Sequence, residues 1–341
     1  MEKPKPYYLT PASKAKLSDI SEHQIAWFVD LAAREREYSF LGGSSVENVL
    51  MKLGLIEDKQ LLHAALMLFG KEPQQFCPAA IVKCSHYYGI EVERPIPSHQ
   101  EFGGTLFAQA NDSADFVLSK LDRTIGDREE ETSAKVTLEI PKEAIREIII
   151  NAIVHRDYDS TGSIQVSVFS DRVEILNPGT LPKGLLVEDL MGKHISIPVN
   201  PFLARPFYLA AYINRLGYGT RNVVMACEKA GLPPPVFQQL NQQFSVTIWR
   251  NWLTEDRLNE FNINARQLKA IRYLKAHKKI TNSQYQRLFE VAKRTATQDL
   301  QYLLSLDLIE KEGTTGKGVF YRIAKGASMG HKGHSYQCSI W

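Results

Sequence analysis

The sequence predicts a mixed α/β chain, with a helix-and-sheet domain followed by a small basic module. Three observations carry this. Residues 141–158, PKEAIREIIINAIVHRDY, hold Ala144, Ile145, Ile148, Ile149, Ala152 and Ile153 at helical spacing. Residues 163–176 alternate as two strands about a Ser170-Asp171 turn. From residue 263 onward the pattern becomes three short helices and two short strands. The 341 residues are 44% hydrophobic and 23% charged, an ordinary composition for a soluble globular protein of roughly 2–3 domains. No apolar run reaches the ~18 residues of a membrane span, and MEKPKPYYLT lacks the apolar core of a signal peptide. The four cysteines are scattered, as reduced thiols in a cytoplasm would be.

The elements follow in order. Lys3 to Lys16 reads as an extended arm, with Tyr7-Tyr8-Leu9 as a short strand. Ser18 to Arg36 reads as a helix, opened by Ser21 and Gln24. Ser45 to Leu53 is a second helix after a Gly-Gly-Ser-Ser break. Leu61 to Phe69 fits a strand or a buried helix equally, and Ala79 to Tyr88 has strand character. Gly104 to Lys120 is amphipathic and helical, and Asp122 to Lys135 reads as a polar loop. After the strand pair come Asn177-Pro178-Gly179 and about 37 residues of lid-like loop. Leu216-Gly217-Tyr218-Gly219-Thr220 then opens a helix over Arg221 to Ala230, and Gln243 to Trp249 closes the domain as a strand.

Within the central helix, Glu147, Asn151 and His155 are four residues apart and share one face. Asn is a mediocre helix former, so its place in mid-helix asks for a reason. Its amide oxygen can ligate a hard cation such as Mg²⁺, and an acid one turn earlier can orient or deprotonate a water. A buried polar pair satisfied by loop backbone is the plainer alternative. Gly-x-Gly at a helix start leaves bare N–H groups and the positive helix end where a phosphate can rest.

The order helix with Glu-x-x-x-Asn, strand pair, Asn-Pro-Gly, long loop, Gly-x-Gly, helix, strand resembles the GHKL ATPases, the fold of gyrase, Hsp90 and histidine kinases. More closely, REIIINAIVHRDY, VEILNPGTLPKG and RLGYGT together resemble a bacterial family described as ATP-binding transcriptional regulators or RecG-helicase-like proteins. In that family a Schlafen-type AlbA-like domain usually precedes this segment, and only its last strand, near Tyr7, is expected here. The chain has no helicase motor motif. The resemblance implies a GHKL (Bergerat-type) helix/sheet sandwich that binds ATP and Mg²⁺. Glu147 matches the general base, Asn151 the Mg²⁺ ligand and Asn177 the adenine-binding Asp. Gly179 matches the first glycine of the same motif, while Leu181 replaces the second. Gly217 and Gly219, with Thr220 beside them, match the phosphate-binding turn. Arg156 and Lys183 are further candidates as phosphate neighbours. An amide at 177 can accept or donate where a carboxylate only accepts, so base preference is open.

The C-terminal pattern resembles a winged helix. From Glu260 onward there are 14 Lys and Arg against 6 Asp and Glu, while the rest of the chain is mildly acidic. Such an asymmetry suits a polyanion, here double-stranded DNA. Lys293, Arg294, Thr295, Thr297 and Gln298 open the third helix and Lys317 lies at the wing tip, placing them as DNA contacts. The expected segments are 1–16 as arm and AlbA-like remnant, 17–121 as a connecting region and 122–250 as the ATPase-like domain. A linker follows at 251–262, then the winged helix at 263–324 and a flexible tail at 325–341. The reading is a cytoplasmic, ATP-binding, DNA-binding transcriptional regulator without a membrane partner, with slow ATP hydrolysis and homo-oligomerisation left open. Two alternatives stand beside it. One is a non-catalytic dimerisation scaffold with a degenerate nucleotide site. The other is a nucleic-acid-processing effector whose chemistry lies in the missing N-terminal domain.

Overall fold

A computed structural model describes residues 5–92, 94–125, 136–214, 218–251, 253, 258–259, 261–313 and 318–324. The chain forms two compact units, one of residues 1–230 and 234–248, the other of 231–233 and 249–341.

The first unit opens on a 3-10 turn at Tyr7–Leu9, where sequence reading expected a strand. Thr10 closes it twice, through its amide and its hydroxyl, both donating to the Tyr7 carbonyl. Helix α1 (Glu22–Arg36) starts at Ser21, whose hydroxyl accepts from the Gln24 amide. Helix α2 (Val46–Leu53) follows Ser45 in the same way and ends at Gly54 with φ 73°. Strands β1 (Ile56–Glu57) and β2 (Gln60–Leu61) make a small hairpin. The ambiguous apolar run after it is helix α3 (His63–Phe69), buried from Ala64 to Phe69 on every side. Burial all round erases the one-sided periodicity that would have told helix from strand.

Strands β3 (Val82–His86) and β4 (Ser98–Phe102) are antiparallel. Helix α4 (Leu106–Lys120) is capped by Thr105. Strand β5 (Arg123–Ile125) lies within the stretch expected to be loop and pairs with β6 (Val136–Leu138), which follows that stretch. Helix α5 (Lys142–His155) leads to the strand pair β7 (Ile164–Val168) and β8 (Arg172–Pro178). The lid-like stretch contains a 3-10 turn at Glu188–Met191 and helix α6 (Pro201–Leu209), so it is not all loop. Helix α7 (Gly219–Lys229) and the hairpin β9 (Val236–Leu240) and β10 (Gln243–Trp249) complete the unit.

Six strands share one mixed sheet in the order β4-β3-β7-β8-β10-β9. Strands β3 and β7 run parallel, whereas β7 and β8 are antiparallel. The stretch 17–121 is therefore no separate connector, because its β3 and β4 form one edge of the sheet that carries the site. Helix α5 packs on β8 and lies between α4 and α7. Eight of its residues are buried, Ile145, Ile148 and Ile149 among them, which anchors its polar line at a fixed angle to the sheet. The first unit is thus a mixed α/β body, a large mixed sheet with helices, as the sequence predicts.

The second unit contains helices α8 (Ala265–His277), α9 (Asn282–Phe289) and α10 (Lys293–Ser305) and the antiparallel pair β11 (Ile309–Glu312) and β12 (Phe320–Ile323). Ile280 joins the pair by two backbone bonds with Tyr321, of 2.9 and 2.8 Å. Its core includes Ile271, Leu274, Leu300 and Leu303. Leu253 and Leu258 are buried in that core as well, so the segment read as a polar linker contributes to packing. A polar knot crosses the interior. The Asp299 carboxylate accepts from Arg266 Nε at 2.6 Å, Tyr285 OH at 3.0 Å and Gln267 Nε2 at 3.2 Å.

Candidate functional site

The line Glu147–Asn151–His155 of α5 forms one wall of a pocket in the first unit. Asn177 and Gly179, at the end of β8, form a second. Gly219 and Thr220, at the start of α7, form a third. Residues distant in sequence thus meet because α5 crosses β8 and packs on α7. Gly217 lies outside the described residues.

The Asn151 amide donates from Nδ2 to Glu147 Oε1 at 3.1 Å. That contact orients the amide and leaves its oxygen as the group Asn151 can offer a cation. Burial pushes the Glu147 carboxyl above the usual carboxylate range, while the bond from Asn151 works the other way. A carboxylate raised in this manner is a stronger base for water than a solvated one. A Cβ built on Gly219 would run into the Glu147 carboxylate, the far end of a flexible side chain, so a larger residue here would displace that carboxylate by close approach, with no left-handed backbone involved. Gly179 is required on both counts. Its φ is 139°, and a Cβ there would stand 3.2 Å from Asp157 N and 3.3 Å from His155 O. Its N–H is bonded to the Gln242 carbonyl at 2.9 Å, which ties the Asn-Pro-Gly turn to the β9–β10 hairpin.

Among the described residues, three buried polar atoms around the pocket have no hydrogen-bond partner: Asn177 Oδ1, Thr220 Oγ1 and His194 Nδ1. A buried polar group without a partner costs about 1–3 kcal/mol, so native structures carry few without a reason. Three on one pocket, between apolar walls that include Ile175, Phe237 and Phe244, suit a ligand with an apolar face and polar edges. These observations fit Mg²⁺-nucleotide. Asn177 and Thr220 offer polar edges, and the α7 N-terminus offers a positive dipole end. Asn151 offers an oxygen ligand and Glu147 a base. Among the described residues no group of three or more His, Cys, Asp or Glu is placed to hold a metal. Mg²⁺ commonly takes only one or two protein ligands beside phosphate and water, so the Asn151 oxygen suffices.

Sequence reasoning missed His194 and Asn200. Asn200 is buried and donates to the carbonyls of Val154 at 2.9 Å and Arg156 at 2.7 Å. It thereby satisfies the open end of α5 from the last residue before α6. Tyr158 OH does the same for the Ile153 carbonyl at 2.9 Å. No local motif announces either residue.

Arg156, read as a phosphate neighbour, is elsewhere. It is 1% exposed, and its Nη2 donates to the Gly162 carbonyl at 2.6 Å. Its guanidinium stacks over Tyr158 at 5.0 Å, on a different cavity beside Tyr7 and Cys77. Lys183 is exposed and does not line the pocket either.

His155 closes the α5 wall. Burial holds its imidazole down at about pH 4, against an ordinary value of 6.5. The unfolded chain therefore binds this proton between pH 6.5 and 4 and the folded chain does not. Stability should fall as pH drops through that window, by at most ~3 kcal/mol for this group. Urea melts at pH 7 and pH 5 should show the loss, and His155→Gln should reduce it. An unchanged difference in the variant would place the acid sensitivity in other groups.

Residues 162–248 match the family model described as "Putative ATP-dependent DNA helicase recG C-terminal". The chain thus carries an ATPase-like domain of the RecG C-terminal type. The match spans β7 to β10 and includes Asn177, Gly179, Gly219 and Thr220, while α5 precedes it. The fold is similar to the crystal structure of the DIP2311 protein from Corynebacterium diphtheriae, with a TM-score of 0.55 and 18% sequence identity. That likeness covers 92% of this chain and 63% of the other. No curated protein matches the chain. Among the described residues no helix is long and apolar enough to cross a membrane.

Proposed function

We propose that the chain is a nucleotide-regulated DNA-binding protein. Mg²⁺-ATP binds the first unit and the second unit binds duplex DNA as a winged helix. The observation that carries the nucleotide half is the set of unpartnered buried atoms on the pocket of Glu147 and Asn151. Asn177 meets the base edge, Asn151 holds the cation, and the start of α7 with Thr220 meets the phosphates. When bound, the nucleotide supplies a phosphoanhydride bond that water can attack. Glu147 orients that water and takes its proton, and its raised carboxyl pKa supports that role.

The DNA half rests on charge and exposure. Lys293, Arg294 and Gln298 are exposed on the first turns of α10. Thr295 is half-buried there. Thr297 leaves the reading set, because its hydroxyl donates to the Lys293 carbonyl at 2.8 Å and accepts from Asn282 Nδ2 at 3.0 Å. It fastens α10 to α9 instead. Lys317 lies outside the described residues. Lys293 and Arg294 contact phosphates, and Gln298 is the residue best placed to read a base edge.

Anisotropy titration of a random duplex across a salt series tests this. Each phosphate contact contributes about 0.9 to the slope of log affinity against log salt. Lys293→Ala with Arg294→Ala should weaken all duplexes and flatten the slope by about two such steps. A saturating Mg²⁺-nucleotide analogue should shift the wild-type affinity. No duplex binding at low salt would remove the DNA half, and binding indifferent to nucleotide would remove the regulation.

A further inference from the structure

We infer that the first unit holds a second ligand site, a cavity floored by Arg156 that takes the carboxylate of a small organic acid. The inference is independent of the nucleotide reading, because this cavity and the Glu147 pocket share no lining residue.

Arg156 caps the C-terminal end of α5 and is 1% exposed. A guanidinium keeps its charge in a protein and carries five N–H donors. Its Nη2 donates to the Gly162 carbonyl at 2.6 Å and to the Ser160 carbonyl at 3.5 Å. Its Nε is buried and has no partner among the described residues. Buried charges are ordinarily paired with an opposite charge. Asp157 acts on this one through space only, without a bond to it. Cys77, on the same cavity, is no counter-ion either, since burial pushes its thiol up to about 12. The face of the Tyr158 ring, 5.0 Å away, offers a quadrupole and not a full negative charge. A cation and an open N–H are thus left facing a cavity of about 250 Å³.

The remaining walls define the ligand. The floor beside Arg156 is apolar, with Met67 and Ala80 buried. The rim is exposed at Pro78, Asp159 and Thr161, which leaves a way in. Asp159 is fixed there, its Oδ1 accepting from the Tyr7 amide at 2.7 Å. A carboxylate at the rim disfavours a doubly charged phosphate and tolerates a single charge that Arg156 neutralises. The planar fork of a guanidinium also matches a carboxylate. Sites for drug-sized ligands run from about 300 to 1,000 Å³, so this smaller cavity suits a short acid with a hydrocarbon stem on Met67 and Ala80.

The test is titration of the full chain, followed by ligand-observed NMR, with butyrate, its uncharged amide and inorganic phosphate. All are measured at pH 7 in a buffer free of other carboxylates. Butyrate should saturate one site, and butyramide, equal in size, should bind about tenfold more weakly or worse. Arg156→Met should weaken butyrate by about tenfold or more. Ala79→Leu fills the cavity and leaves Arg156 in place, so it should weaken butyrate as well. That second variant keeps the test decisive if Arg156→Met does not fold. No saturable butyrate binding at tens of millimolar overturns the inference, as does binding that a folded Ala79→Leu protein leaves unchanged. Phosphate bound more tightly than butyrate overturns the assignment to a carboxylate. Displacement of butyrate by a Mg²⁺-nucleotide analogue would place the acid in the Glu147 pocket and also overturn the inference. Failure of the nucleotide analogue to bind leaves the inference standing.

Discussion

Replacing Asn151 by Ala should weaken Mg²⁺-dependent nucleotide binding about 10–100-fold, the range for losing a ligand or its support at a metal site. The amide nitrogen is already committed to Glu147 at 3.1 Å, so the oxygen is what the truncation removes from the cation. Binding measured in excess chelator should change far less, because the base and ring contacts remain. Glu147→Gln is the complementary case. It preserves an oxygen for Asn151 to donate to, and it removes the base. Affinity should stay within a few-fold while any hydrolysis falls ~10²–10⁴-fold. Calorimetry with and without Mg²⁺, followed by phosphate release, separates the two roles. Equal turnover in the Glu147→Gln protein and wild type would exclude Glu147 as the base.

Asp299→Ala should destabilise the C-terminal unit by about 3 kcal/mol, the lower end of the range for breaking a buried charged network. The carboxylate holds Arg266, Tyr285 and Gln267 together, and Tyr285 is fully buried. Arg266 is one-third exposed, so solvent moderates the loss. Burial raises the Asp299 carboxyl, but the bonds from Arg266 and Tyr285 prevail and hold it below the usual range. Its contribution is therefore present above the ordinary carboxylate pKa and is lost as pH falls through the depressed one. Hydrogen exchange on α8 to α10 should show the variant opening at pH 7, and the difference from wild type should shrink in strong acid. Equal protection at pH 7 would mean that the network contributes nothing net.

Residues whose signal was periodic were legible in the sequence. Ile145, Ile148 and Ile149 repeat at helical spacing, and Ile164, Val166 and Val168 alternate, so α5 and β7 could be read directly. The pocket's glycines and asparagines were legible through their order along the chain. What failed has physical reasons. Helix α6 opens at Pro201 and contains Pro206, and proline argues for loop unless the surroundings satisfy the freed carbonyls. Strand β9 buries only Phe237 and leaves Val236 and Leu240 exposed, so it lacks an alternating apolar face to detect. Asn200 and His194 act through a fold that brings residues 40 or more positions apart into contact. Arg156 misled because a charge beside a phosphate motif is usually solvated, whereas this one is buried against the Tyr158 ring.

The central claim is that the pocket of Glu147, Asn151, Asn177 and Thr220 holds a Mg²⁺-nucleotide. The most direct test is titration of a non-hydrolysable ATP analogue against the purified full chain, with Mg²⁺ and with chelator. One saturable site per chain is expected, tightened by Mg²⁺ and weakened by Asn151→Ala. No saturable binding at millimolar nucleotide, or binding that neither Mg²⁺ nor Asn151→Ala alters, would contradict it.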